Sequence, residues 1–222
     1  MEVPSERLNE VEKVRDIFWK ILYTFKLYKL NNDGEIIIDG WPYVLIDTTL
    51  FYQISEQIKK MVGPVQKRIW YEFGKKSGFD IAFRFTKKFQ ESSFIKGLII
   101  KLKTGLSFND LALLKDKSTE TIANKIWGYG LFAGWVGKLK MIKFDPEKEI
   151  ILRVVNGFET YGYIKNKVKT KEPVCDFLRG VGAGLFSYWC KKDFEAKEIK
   201  CVAKGDKYCE VHVYPKGEEN ES

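Results

Sequence analysis

Three cysteines and one glutamate near the C-terminal end of the chain have residue types and spacing suited to binding a metal ion. They are Cys175, Glu198, Cys201 and Cys209. Thiolates and carboxylates are ligands that Zn²⁺ accepts, and four protein ligands make the closed tetrahedral shell of a structural zinc site. A closed shell leaves no position for water or substrate, so hydrolytic zinc chemistry is not expected here.

The final hairpin explains how two of these thiols could meet. Cys201 and Cys209 are equally distant from Gly205, so a turn centred on that glycine places them opposite each other. Glu198 precedes Cys201 by three residues, and in a regular strand these two side chains would point to opposite faces. A bulge or bend near 199–200 is therefore needed to bring the carboxylate to the metal.

The fourth ligand must come from the preceding helix, and two cysteines compete for this position. Cys175 follows Pro173 at the start of the helix, where the helix N-terminus favours a thiolate by lowering its pKa. Cys190 lies at the other end, and fifteen residues of helix separate the two thiols by about 22 Å. Only one of them can contact the ion, and position alone leaves both open.

Other interpretations of the cysteines remain open at this point. They could be buried and inert, because cysteine is among the most buried residue types. A Cys201–Cys209 disulfide is a second interpretation, although disulfides are unusual inside cells. A catalytic thiol would have to pair with His212, the one histidine in the chain. His212 lies among alternating residues of a predicted strand, which favours a structural role.

Helices and antiparallel hairpins alternate along the chain, which predicts an α+β fold with an antiparallel sheet packed against helices. Helical spacing also extends through 79–116, where strand is an alternative for part of the segment. We divide the chain into an N-terminal helix for extension or dimerisation (1–32), one domain (33–215) and a polar tail (216–222). The predicted elements are helices at 5–30, 48–62, 67–78, 118–135 and 174–190, and strands at 35–39, 43–47, 139–145, 150–156, 157–163, 194–203 and 207–214.

Charge and hydropathy restrict the function classes. The chain has 222 residues and a formal net charge of +8, but its lysines are dispersed and match no nucleic-acid-binding motif, so nucleic acid is not an expected partner. The charged N-terminus lacks the apolar region of a signal peptide. The apolar stretch at 94–102 is too short to cross a bilayer. We therefore expect a cytoplasmic protein without a membrane span.

The spacing C-x22-E-x2-C-x7-C resembles the 4-vinyl reductase domain. The glycine-rich run that follows Cys175 and the pattern C-x-A-x-G-x-x-x-C beginning at Cys201 resemble the same family. Two upstream segments also resemble it, namely WGYG at 127–130 and VVNGFE at 154–159. The resemblance is close over 174–213 and looser over 33–215.

This resemblance implies a fold, a metal and a ligand. The family is related to TRAPP vesicle-tethering subunits, is usually dimeric, and includes the sensor domains of phenol- and xylene-responsive activators. In those sensors, zinc on this pattern is structural and a nearby apolar cavity binds the effector. The resemblance thus favours Cys175 over Cys190 as the helix-borne ligand. It implies a homodimer that passes its signal to a separate regulatory partner.

We accordingly expect a non-catalytic, zinc-stabilised domain that binds or senses a small apolar, hydrocarbon-like ligand. Phenol sensors hold the hydroxyl group with a histidine and a tryptophan, and His212 lies past the last zinc ligand, so phenol itself is not expected. The residues that could line the cavity also suit ordinary core packing; they are Trp127, Tyr129, Phe132 and Trp135.

Two alternatives to a sensor stay open, a reductase of a vinyl or other unsaturated group and a dimeric scaffold subunit. A reductase needs a hydride donor, and the chain has no GxGxxG motif between a strand and a helix. The run GVGAGLF at 180–186 imitates one, but we predict that it lies inside a helix.

Overall fold

The structure is a computed structural model that describes residues 20, 28–30, 35–38, 41–43, 46–90 and 136–217. Lys20 is helical; the rest of the helix predicted before residue 28 lies outside the described residues. So do the helix predicted at 118–135, residues 91–116 and the end of the tail. The four aromatic residues proposed to line a cavity, Trp127, Tyr129, Phe132 and Trp135, also lie outside them.

The described residues form an α+β fold, as predicted. A small antiparallel sheet has the order β1-β2-β3, and a larger antiparallel sheet has the order β4-β5-β7-β6. The strands are β1 (Tyr28–Leu30), β2 (Ile36–Ile38), β3 (Trp41–Tyr43), β4 (Lys138–Asp145), β5 (Glu149–Val155), β6 (Phe194–Lys200) and β7 (Cys209–Pro215). The helices are α1 (Thr48–Val62), α2 (Val65–Gln90), α3 (Phe158–Lys165) and α4 (Asp176–Cys190), with a 3-10 turn at Val202–Lys204.

The core lies between α4 and one face of the larger sheet. Alternate residues of the central strands point into it, which is the pattern of a sheet buried on one face. On β5 these include Ile150 and Leu152, and on β7 they include Val211 and Val213. A Cβ built on Gly182 of α4 would lie 3.5 Å from Val213 and 3.8 Å from Leu152. The helix therefore packs directly on the sheet.

The other side of α4 packs against α2 at very short range, through glycines on both helices. A Cβ at Gly180 would lie 2.2 Å from the carbonyl oxygen of Tyr71, and one at Gly184 would lie 2.0 Å from that of Lys75. Gly74 and Gly78 of α2 approach α4 in the same way. Since any side chain would collide with backbone there, glycine is required at these positions. The GVGAGLF run thus lies inside a packed helix, as predicted, and is not a phosphate-binding loop.

Three of the predicted elements are wrong in type or length. Residues 157–163 were expected to form a strand but lie in α3, because the strand ends at Gly157 and Phe158 begins a helix. Residues 28–30 form strand β1 where the first helix was expected to continue. Helix α2 was expected to end at 78 and extends to 90, because its glycines are stabilised by packing on α4 and do not end the helix.

The hairpin predicted at 139–156 and the helix predicted at 48–62 are confirmed. Asp47 caps α1 by accepting a hydrogen bond from the backbone N–H of Thr49 at 2.7 Å. Among the described residues, no helix is both long and apolar enough to cross a membrane.

Candidate metal centre

The structure brings the four predicted ligands together in one buried group. One ligand atom from each of Cys175, Glu198, Cys201 and Cys209 lies within 4.8 Å of the others. The Cys175 and Cys209 sulfurs are 3.6 Å apart. The three cysteines are at most 1% exposed and Glu198 is 7% exposed. Such a concentration of soft, ionisable donors away from water is a group that could hold a metal ion.

Each ligand comes from a different point of the fold. Cys175 is the N-cap residue of α4, and Cys209 is the first residue of β7. Glu198 lies on β6, and Cys201 follows the end of that strand, at the start of the 3-10 turn. The group therefore joins the last helix to the last hairpin.

A bulge in β6 brings Glu198 to the same side as Cys201, as the spacing required. Glu198 pairs with Val211 and Lys200 pairs with Glu210, so Ile199 has no partner in the ladder. The extra residue bends the strand and changes the face to which the following side chains point. The last pair, Lys200 with Glu210, is also symmetric about Gly205, which confirms the predicted centre of the turn.

Hydrogen bonds within the turn fix the position of Cys201. Its N–H donates to the Asp206 carboxylate at 2.8 Å, and its carbonyl accepts from Lys204 N–H at 2.9 Å. Gly205 has φ 104°, a conformation that disfavours any side chain. The N–H of Val202 donates to the Cys209 sulfur at 3.4 Å, which favours the thiolate form that binds a metal.

The group also fits a divalent cation by its unsatisfied chemistry. Glu198 Oε2 accepts the N–H of Cys175 at 2.9 Å, whereas Glu198 Oε1 is buried with no hydrogen-bond partner among the described residues. A buried carboxylate oxygen without a partner is costly. Tetrahedral zinc with bonds of about 2.3 Å separates its ligand atoms by about 3.7 Å, and the 3.6 Å between Cys175 and Cys209 matches this value.

Crowding of the four acidic groups shifts their pKa values in different directions. Burial, and then the neighbouring Cys201, raises the pKa of Glu198 to about 8. Hydrogen bonding to Cys201 and Cys209 raises the pKa of Cys175 well above its ordinary value, which is opposite to the lowering expected from the helix N-terminus. Hydrogen bonding from the Cys175 and Cys209 thiols lowers the pKa of Cys201. A cation is what would allow all four groups to ionise together.

The remaining sequence candidates lie elsewhere or take other roles. Cys190 ends α4, away from the buried group, and all four cysteines are free thiols, so no Cys201–Cys209 disulfide forms. His212 Nδ1 lies 2.7 Å from a Glu149 carboxylate oxygen, which gives it a structural contact with a carboxylate.

One buried carboxylate beside this centre was missed by the sequence reasoning. Glu159 accepts the N–H of Phe177 at 2.9 Å and that of Leu178 at 2.8 Å, in the first turn of α4. Burial raises its pKa well above the ordinary value, and these two N–H groups oppose the shift. The VVNGFE segment was a possible signal, but its glutamate was assigned to a strand rather than to α3.

A set of aromatic rings surrounds this carboxylate on the side away from the sheet. Phe51 of α1 contacts Phe158 edge-on with ring centroids 4.5 Å apart, and Tyr52 contacts Tyr163 at 4.8 Å. The narrow cleft beside them, which Glu159 also lines, has an enclosed space of about 10 Å³, room for one water molecule. It is too small for an organic ligand.

Comparison with known proteins places the metal centre inside a recognised domain. Residues 152–215 match the family model of the 4-vinyl reductase domain. An uncharacterized protein of Methanocaldococcus jannaschii, MJ0745, is 33% identical over 75 residues, which cover 34% of this chain and 39% of that protein. The match thus spans well under half of the relative's length. The resemblance predicted from the cysteine and glutamate spacing is confirmed.

Solved structures resemble the chain over a longer range. The phenol-responsive sensory domain of the transcription activator PoxR, solved with phenol, gives a TM-score of 0.64 at 14% identity and covers 88% of each chain. A trafficking protein particle complex subunit 3 from Naegleria fowleri, covalently bound to palmitic acid, gives 0.44 at 17% identity, covering 76% of this chain and 92% of that one. The similarity to the PoxR domain confirms the predicted fold class.

Proposed function

We propose that this chain is a small-molecule-binding or sensing domain in which zinc has a structural role. The observation that carries the proposal is the buried group of three thiols and one carboxylate at the junction of α4 and the β6–β7 hairpin. Cys175, Glu198, Cys201 and Cys209 would hold the ion, and all four positions of a tetrahedral shell would then be filled by protein. When bound, zinc supplies cross-linking of the fold and no reaction.

Ligand sensing is supported by the fold shared with the phenol-responsive PoxR sensory domain. Phenol recognition is not carried over, because the one histidine, His212, is bonded to Glu149. We propose instead an apolar, hydrocarbon-like ligand lined by Trp127, Tyr129, Phe132 and Trp135. The homodimer, the separate regulatory partner and the cytoplasmic location stay predictions.

Metal analysis and native mass spectrometry of the purified protein test both parts of this proposal. We expect one zinc ion per chain, and calorimetric titration with toluene should show binding that is tighter than binding of phenol. A zinc content near zero would contradict the structural metal. A zinc-loaded protein that binds neither compound and releases no small molecule on denaturation would favour the scaffold alternative instead.

A further inference from the structure

The N-terminus of α4 is capped by a residue from another helix. Glu159 of α3 is 8% exposed, and its two carboxylate oxygens each accept one backbone N–H, from Phe177 and from Leu178. The N–H groups in the first turn of a helix have no partner within the helix. A capping side chain normally supplies that partner from the N-cap position itself. Here the N-cap residue is Cys175, whose side chain makes no capping hydrogen bond.

The reason for this arrangement is the second task of Cys175. Its sulfur faces the Cys209 sulfur at 3.6 Å, and its own N–H donates to Glu198. A side chain at the N-cap that points toward the metal group cannot also bond the N–H groups of its own helix. The neighbouring acid, Asp176, is also occupied, because it accepts from Arg179 at 3.1 Å. Capping is therefore supplied by Glu159.

We propose that Glu159 is a positioning residue of the metal centre. By holding the first turn of α4, its carboxylate fixes the point where the helix begins, and this sets the direction of the Cys175 sulfur. It acts through the backbone of Phe177 and Leu178 and does not touch the metal group. The proposal rests on the metal assigned under the proposed function. Partners of this outer-shell type typically change metal affinity 10–100-fold when they are replaced.

The test compares Glu159→Gln with a matched carboxylate elsewhere. Glutamine keeps one oxygen acceptor but presents an NH₂ donor to the second N–H, so half of the cap is lost. The control is Glu149→Gln, which alters a carboxylate bonded to His212. Glu149 begins β5, about 16 Å along the strand from Val154, the residue paired with Cys209. Zinc affinity is measured by competition with a chromophoric chelator, and Co²⁺ spectra report the geometry of the thiolate ligands.

We expect Glu159→Gln to bind zinc 10–100-fold more weakly and to shift the Co²⁺ absorption bands, while Glu149→Gln stays within about twofold of wild type. Wild-type protein that binds no zinc would remove the proposed function and this inference with it. Wild type that binds zinc while Glu159→Gln keeps the same affinity and Co²⁺ spectrum would overturn the positioning role alone. A Glu159→Gln protein that is unfolded in excess zinc would also overturn it, because Glu159 would then serve the whole fold.

Discussion

At the scale of single residues, the four cysteines divide by what surrounds them. Cys190 lies half-buried at the end of α4, and burial raises its pKa to about 11. Cys175, Cys201 and Cys209 instead lie against one another and against Glu198. Only the second set has the geometry for a shared ion, so the chain contains its own control for a metal-ligand substitution.

Replacing Cys201 by serine should therefore destabilise the protein far more than replacing Cys190. Cys201→Ser removes one of four ligands and should lower the free energy of unfolding in zinc-buffered solution by about 4 kcal/mol or more, the range seen when a structural metal is lost. Cys190→Ser should cost about 1 kcal/mol or less, because its thiol is only partly buried.

Urea unfolding of both variants, with and without a strong chelator, measures this difference. The chelator should destabilise wild type and Cys190→Ser but leave Cys201→Ser unchanged. Equal losses in the two variants, or a chelator effect that persists in Cys201→Ser, would argue against a metal at this group.

Much of the metal centre could be predicted from the sequence, because its ligands lie on elements that are adjacent in the chain. The symmetry of Cys201 and Cys209 about Gly205 and the need for a bulge before Cys201 both follow from strand geometry. The role of Glu159 could not be predicted in this way. It depends on α3 packing beside the start of α4, which is a tertiary contact that local spacing does not encode.

At the scale of secondary-structure elements, the α2–α4 crossing depends on glycine on one side of α4 only. Gly180 and Gly184 face α2, where a Cβ would collide with carbonyl oxygens. Gly182 faces the sheet, where a Cβ would make ordinary contacts. Intrinsic propensity disfavours all three in a helix interior, so the two that face α2 are retained for close packing.

Gly184→Ala and Gly182→Ala should consequently have different effects. Gly184→Ala forces the helices apart and should lower the free energy of unfolding by about 1–3 kcal/mol or more. Gly182→Ala should be neutral or stabilising by up to about 1 kcal/mol, because alanine is the better helix former. Chemical denaturation of the zinc-loaded proteins checks both values. Equal destabilisation by the two alanines would show that the close crossing is not what the glycines serve.

The same tertiary contacts explain which elements were misassigned from the sequence. Glycines in the middle of α2 predicted an end near residue 78, but packing on α4 outweighs their poor propensity and the helix extends to 90. The segment 157–163 alternates aromatic residues as a strand does, yet it forms α3, whose Phe158 and Tyr163 pack on the rings of α1. Helix and strand are hard to separate in short apolar segments.

At the scale of the whole molecule, α4 is attached to the sheet at two places. One is the metal group, which joins its first residue to β7 and to the end of β6. The other is Arg179, whose guanidinium donates to the carbonyl of Ala196 at 2.8 Å and stacks on Tyr71 with its centre 4.4 Å from the ring centroid. Only the first depends on metal, so the fold should loosen locally when zinc is removed.

Removal of zinc should raise hydrogen exchange first in the loop 201–209 and in the first turn of α4, which the four ligands join. The hairpin of β4 and β5 should keep its protection, because its ladder and the core residue Ile150 lie away from the ligands. Exchange followed by mass spectrometry before and after chelation measures both regions, and zinc added back serves as the control. A uniform rise over all described elements would mean that the metal stabilises the fold as one cooperative unit, and no change would mean that it binds elsewhere.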